Sequence, residues 1–112
     1  MNPDNLDALY AELGPIGAEA VVCRAMEELA TRLAALPALH RGGQLKELAR
    51  VARSMAAIAD QVGLESFSCV ASDVVRCALR SDPIALAATL RRLERIGERS
   101  LTAIWDVTDP QI

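Results

Sequence analysis

One histidine, three cysteines and an arginine set among alanines are the residues of this chain with distinctive chemistry to offer. His40 stands alone, so Ser66, Ser68 and Ser72 have no base near them in sequence and no nucleophilic triad is expected. Cys23, Cys69 and Cys77 are odd in number, widely spaced and lack a C-x-x-C pair, which argues against zinc. Buried free thiols in a reducing compartment are the expectation for them. Glu27 and Glu28 are adjacent, so they diverge on a helix and form no acid–base pair. No glycine-rich phosphate loop is present. The chain is therefore expected to hold no catalytic residue, no metal and no cofactor, and not to be an enzyme.

Arg53 draws attention because of its surroundings. On a helix, residues three and four positions away share its surface, and these are Ala49, Arg50, Ala56 and Ala57, with Asp60 two turns on. A cation with so little side-chain bulk around it suits a docking face. The alternative is a surface filled with helix-favouring alanine for stability alone.

The elements that must position Arg53 can be read from punctuation and periodicity. "NPDN" opens a short helix, about 4–13, with Asp4 as its N-cap. "GPIG", 14–17, breaks it, and Pro15 suits the first turn of the next helix because its missing N–H would be unpaired there. That helix carries Val22, Met26, Leu29, Leu33 and Leu36 along one face and is expected to end at Pro37. "ALHRGG" then reads as a loop or frayed start, which puts His40 at the surface. The third helix, about 44–62, has a seam of Leu45, Leu48, Ala52, Met55, Ala59 and Val62 and stops at Gly63. The fourth begins near Leu64 or Glu65 with Phe67, Val70, Val74 and Cys77 inward. "SDP", 81–83, is a capping side chain followed by proline at the first helical position. The last helix runs to about Trp105, with Leu86, Leu90, Leu93, Gly97 and Ile104 inward, Trp105 as a packing anchor and "DVTDPQI" as a frayed tail. Met26 and Met55 read as core filler.

Composition agrees with this pattern. Hydrophobic residues make up 52% of the 112 and aromatic residues 3%, so helix formers dominate and strand formers are scarce. The expected fold is all-α: one domain, 1–112, an up-down-up-down antiparallel four-helix bundle with a short extra N-terminal helix capping one end. The net charge is −3 with mixed signs, so no nucleic-acid footprint shows. No apolar stretch approaches the roughly 20 residues of a membrane span, and "MNPDNLDALY" lacks the basic start and apolar run expected of a signal peptide. A soluble, cytoplasmic protein is expected. The seam alanines leave a homodimer open as a possibility.

"VARSMAAIADQVGLESF", 51–67, resembles the phosphoacceptor helix of histidine-containing phosphotransfer (HPt) domains of bacterial phosphorelays. That family's motif is a histidine, any residue, an apolar residue, lysine and glycine, then a small-residue run and a second glycine ten positions after the histidine. Counting back from Gly63 places Arg53 at the histidine, Met55 at the apolar position, Ala56 at the lysine and Ala57 at the first glycine. Ala52, the early "LYAELG" and the "SDP" joint also fit, so the resemblance spans nearly the whole chain. The packing positions match and the chemical ones do not.

The resemblance implies a module that meets the receiver domain of a response regulator or hybrid kinase through Ala49, Arg50, Arg53, Ala56, Ala57 and Asp60. It does not imply turnover. Phosphotransfer needs a nitrogen lone pair, and arginine is protonated at physiological pH and accepts nothing. His40 lies thirteen residues earlier, and shifting the motif there would bury Gly42 and Gly43 in a helix at about 1 kcal/mol each. The expected function is thus a non-catalytic, receiver-binding HPt-like regulator. The alternatives are a helical adaptor or dimerisation bundle outside phosphorelays, and an active phosphotransfer intermediate.

Overall fold

The computed structural model describes residues 3–108, with side-chain environments for 7–100. Four α-helices make up the described chain: α1 (Pro3–Arg41), α2 (Leu45–Gln61), α3 (Glu65–Leu79) and α4 (Pro83–Thr108). No strand occurs among the described residues. Each helix packs on its neighbour in sequence, and α1 closes the ring on α4. Linking segments of three residues leave no room for a crossover, so sequential helices run antiparallel.

The three links share one device. The N–H of Gln44 donates to the carbonyl of Leu39 (3.0 Å), that of Leu64 to Ala59 (2.9 Å) and that of Asp82 to Cys77 (3.2 Å). Each bond reaches back five residues and satisfies a carbonyl left open at the helix end. The residue before each donor is left-handed: Gly43 (φ 68°), Gly63 (φ 78°) and Ser81 (φ 53°). Glycine takes this conformation without cost, whereas Ser81 carries a Cβ there. Asp82 then opens α4, its Oδ1 accepting from the N–H of Ala85 (3.1 Å) with Pro83 at the first helical position.

The break between the first two expected helices is confined to Gly14, whose φ of 77° and ψ of 171° interrupt α1. This backbone region is essentially reserved for glycine. Helix resumes at Pro15, so "GPIG" is a one-residue kink rather than a four-residue gap. Residues before the kink turn toward the α2–α3 link, where Ala8, Leu9 and Glu12 share a groove with Asp60 and Gln61.

Pro37 does not end its helix, as the sequence suggests; α1 continues to Arg41. An internal proline costs about 3 kcal/mol through its missing N–H and its ring. Burial of Leu36 (1% exposed) and packing of Leu39 on the core hold the extra turn in place. His40 consequently lies in that last turn, half-buried, not in a loop.

The core follows the expected seams. Met26, Leu29 and Leu36 of α1, Leu48, Ala52, Met55 and Ala59 of α2, Phe67, Val70 and Val74 of α3 and Leu86, Leu90 and Leu93 of α4 are all buried. Val22, Leu33, Leu45 and Cys77 are half-buried against them. Each large side chain removed from water contributes about 1.5–3 kcal/mol. No buried polar or charged side chain occurs among the described residues. The thiols are less buried than expected: Cys23 and Cys69 are exposed and Cys77 is half-buried. The cap at Asp4, the inward placement of Ile104 and Trp105 and the tail at 109–112 lie outside the described residues or side chains.

Gly97 is buried where three helices meet. A Cβ there would stand 2.7 Å from Leu33 Cδ2 and 3.1 Å from Phe67 Cε2. The Leu33 methyl can swing aside, but the Phe67 ring, 1% exposed, has nowhere to go. Gly97→Leu should therefore lower stability by about 2–3 kcal/mol through overpacking, read as a fall in urea midpoint. Ser81→Gly should act in the opposite sense. Relief of left-handed strain outweighs the entropy glycine adds to the unfolded chain, and stability should rise by about 0.5–1 kcal/mol in the same assay.

Candidate functional site

Arg53 sits at the middle of α2, nine residues into its seventeen, and its side chain is exposed. Among the described residues it makes no hydrogen bond and no ion pair. Its setting follows from the helical repeat, in which steps of four and three return to nearly the same direction. Arg50, Ala57 and Asp60 are exposed on the same outward stripe. Lys46 joins them, one turn before Arg50, and extends the stripe toward the start of the helix. The 46–50–53–57–60 spacing marks this fifth position in the sequence, although Lys46 is not among the expected contact residues.

Two of the six expected contact residues sit differently. Ala56 is half-buried and packs against the core, and its carbonyl accepts the Ser68 hydroxyl of α3 at 3.0 Å. Ala49 is only 2% exposed and belongs to the core rather than the outward stripe. Four residues turn a helix about 40° past a full circle, which swings Ala49 inward from Arg53. α2 and α3 approach closely enough that the buried arc includes it. The exposed part of the expected docking face is therefore Arg50, Arg53, Ala57 and Asp60, with Ala56 at its margin and Lys46 on the same stripe.

The flank toward α1 is fixed by polar contacts. Arg32 donates through Nε to the Ser54 hydroxyl (3.1 Å) and through a terminal nitrogen to the Glu28 carbonyl (3.3 Å). Ser54 donates in turn to the Val51 carbonyl (2.7 Å). No sequence signal points to this pairing, because the partners lie on different helices 22 residues apart.

The two arginines of the stripe differ in freedom. Arg50 is tied to Glu47, donating through Nε to both carboxylate oxygens (3.1 and 3.0 Å) and through a terminal nitrogen as well. These hydrogen bonds, reinforced by the guanidinium charge, hold the Glu47 carboxyl below its ordinary range, and the same pair raises Arg50. Arg53 has no such tether, so its cation is available to a partner.

No group of histidine, cysteine, aspartate and glutamate side chains among the described residues is arranged to hold a metal ion. No helix there is long and apolar enough to cross a membrane. His40 lines an open groove between α1 and α4 with Arg41, Arg91 and Glu94, and no residue of α2 borders it. Comparison of the chain with protein-family models, curated proteins and solved structures gives no match.

The lowered carboxyl of Glu47 makes the tether pH-dependent. Its contribution is fully present above the ordinary carboxylate range and is lost as pH falls through the depressed value of the folded state. Arg50 should therefore stay tethered to a lower pH than an unpaired glutamate would allow. Following the Arg50 Nε–H resonance during acidification should show release below the ordinary carboxylate midpoint, and Glu47→Gln should release it at every pH.

Proposed function

We propose that the chain is a degenerate HPt-like module that binds the receiver domain of a response regulator or hybrid kinase without exchanging phosphate. The observation that carries this reading is Arg53: exposed, without a partner and central on an outward helix stripe, where the resembled family holds its phosphoacceptor. Low relief around it, from Ala57 and half-buried Ala56, leaves space for an opposing surface. A receiver's acidic pocket offers carboxylates that a guanidinium binds with charge-assisted hydrogen bonds. Lys46 adds same-sign charge along the stripe and favours encounter with an acidic surface.

Arg53 cannot stand in for the missing histidine. It has no lone pair to attack an aspartyl phosphate, and Ala56 supplies no cation to steady the phosphoryl group. Occupation of the receiver's pocket blocks its exchange with an active partner, which makes the module a competitor rather than a relay step.

The alternative, a helical adaptor or dimerisation bundle outside phosphorelays, draws support from Leu79 and Ile84, exposed by 59% and 84% on either side of the α3–α4 link. An NMR titration of the labelled chain with receiver domains from its source separates the two. Receiver binding should move resonances of Arg50, Arg53 and Ala57. Arg53→Ala should then weaken affinity about tenfold, or roughly 1.4 kcal/mol, while leaving the melting temperature unchanged. A receiver that binds both proteins equally, or no shift with any receiver, would sink the proposal in favour of the adaptor.

A further inference from the structure

The charges of this chain are sorted along the bundle axis. The antiparallel order puts the α1–α2 and α3–α4 links at one end, and the α2–α3 link with the Gly14 kink at the other. The first end is basic. Most of its carboxylates are engaged: Glu47 binds Arg50, Asp73 binds Arg76 and Asp82 caps α4, which leaves Glu94 exposed beside Arg91. Arg41, Lys46, Arg80 and Arg91 are exposed there, and their side chains make no hydrogen bond or ion pair among the described residues. At the other end the N-terminal segment is acidic and outweighs Arg95 and Arg99, which are exposed on either side of Gly97. The first 23 residues contain four carboxylates and neither lysine nor arginine. Of these carboxylates, Asp7, Glu12 and Glu19 are exposed.

Exposed apolar surface divides the same way. The large hydrophobic side chains exposed among the described residues are Leu79 (59%) and Ile84 (84%) at the basic end, and Tyr10 (40%), Leu13 (46%) and Ile16 (85%) at the acidic end. None lies on the flanks between. Leu79 also lines an open groove of about 640 Å³ with Gly43, Leu45, Lys46 and Ser81. Each end thus combines apolar groups with an excess of one charge, and the two excesses are opposite in sign.

We infer that the basic end is a docking surface for the acidic end of a second copy of this chain, set head to tail. Apolar contacts between Leu79 and Ile84 of one copy and the side chains around the Gly14 kink of the next provide the buried centre. The opposed charges steer the encounter and fix its polarity. A two-fold dimer through either end would set like charges face to face, which disfavours it. Head-to-tail contact uses two different patches, so it leaves one of each kind open and grows into a linear chain unless the rotation closes a ring.

Two variants test this with the whole chain. Leu79→Asp with Ile84→Asp disables the basic end, and Leu13→Lys with Ile16→Lys disables the acidic end. Circular dichroism first establishes that both keep their helix content. In sedimentation velocity, the unaltered chain should grow beyond a dimer as concentration rises. Raising salt from about 0.1 M to about 1 M, which shortens the Debye length from about 10 Å to about 3 Å, should reduce that growth. Each variant alone should sediment as a monomer, and an equal mixture should form a dimer and nothing larger, because each supplies the end the other lacks. A monomeric unaltered chain, a variant that still dimerises alone or a mixture that stays monomeric would overturn the inference. If either variant is misfolded, Arg80→Glu and Glu12→Lys, both far from the core, replace them in the same mixing experiment with the same required outcomes.

Discussion

The close approach of α2 and α3 is the constraint on which the rest of this bundle depends. These two helices share the most extensive interface among the described residues. The approach is possible because Ala49, Ala52 and Ala59 face inward from α2, and Ala71 and Ala78 from α3. Small side chains let the backbones come near enough for the Ser68 hydroxyl to reach the Ala56 carbonyl across the gap. Larger residues at those positions would push the pair apart and open the space that Phe67, Met55 and Val74 fill. The same approach decides which parts of α2 remain for a partner. It draws in Ala49, half-covers Ala56 and leaves a narrow stripe around Arg53.

Much of this was legible in the sequence because helix periodicity and turn chemistry are local. Leu48, Met55, Leu86 and Leu93 were readable as core from spacing alone, and Gly63 and the Asp82–Pro83 pair marked their helix boundaries. Three features escaped for physical reasons. Pro37 is a helix terminator by its backbone preference, but burial of Leu36 and docking of Leu39 hold the following turn in place. Ala49 looks like a surface residue when α2 is considered alone, and only the proximity of α3 buries it. The Arg32–Ser54 contact joins two helices, so no local pattern announces it. The cysteines illustrate the opposite bias: habits of residue type favoured burial for Cys23 and Cys69, and both face solvent.

The candidate site is legible in a narrower sense. Its central residue, its helix and its outward direction follow from spacing, whereas the difference between Arg50 and Arg53 does not. Both are arginines one turn apart on an exposed ridge. Glu47 occupies the guanidinium of one and leaves the other open, a distinction that depends on rotamers rather than on order in the chain. A single tether of this kind can focus recognition on one cation of a basic row.

The ring of helices also has a kinetic side. Every extensive interface joins helices consecutive in sequence, so each hairpin can form without waiting for a distant segment. Such topologies have low contact order and fold quickly. The closing contact between α1 and α4 is the least extensive of the four among the described residues, and it joins the two ends of the sequence. It is the last seam to gain and the first to give way in a partial opening. Amide protons of α1 and α4 that face each other would then exchange with solvent well before those of the α2–α3 hairpin, which leaves that hairpin as the durable unit carrying Arg53.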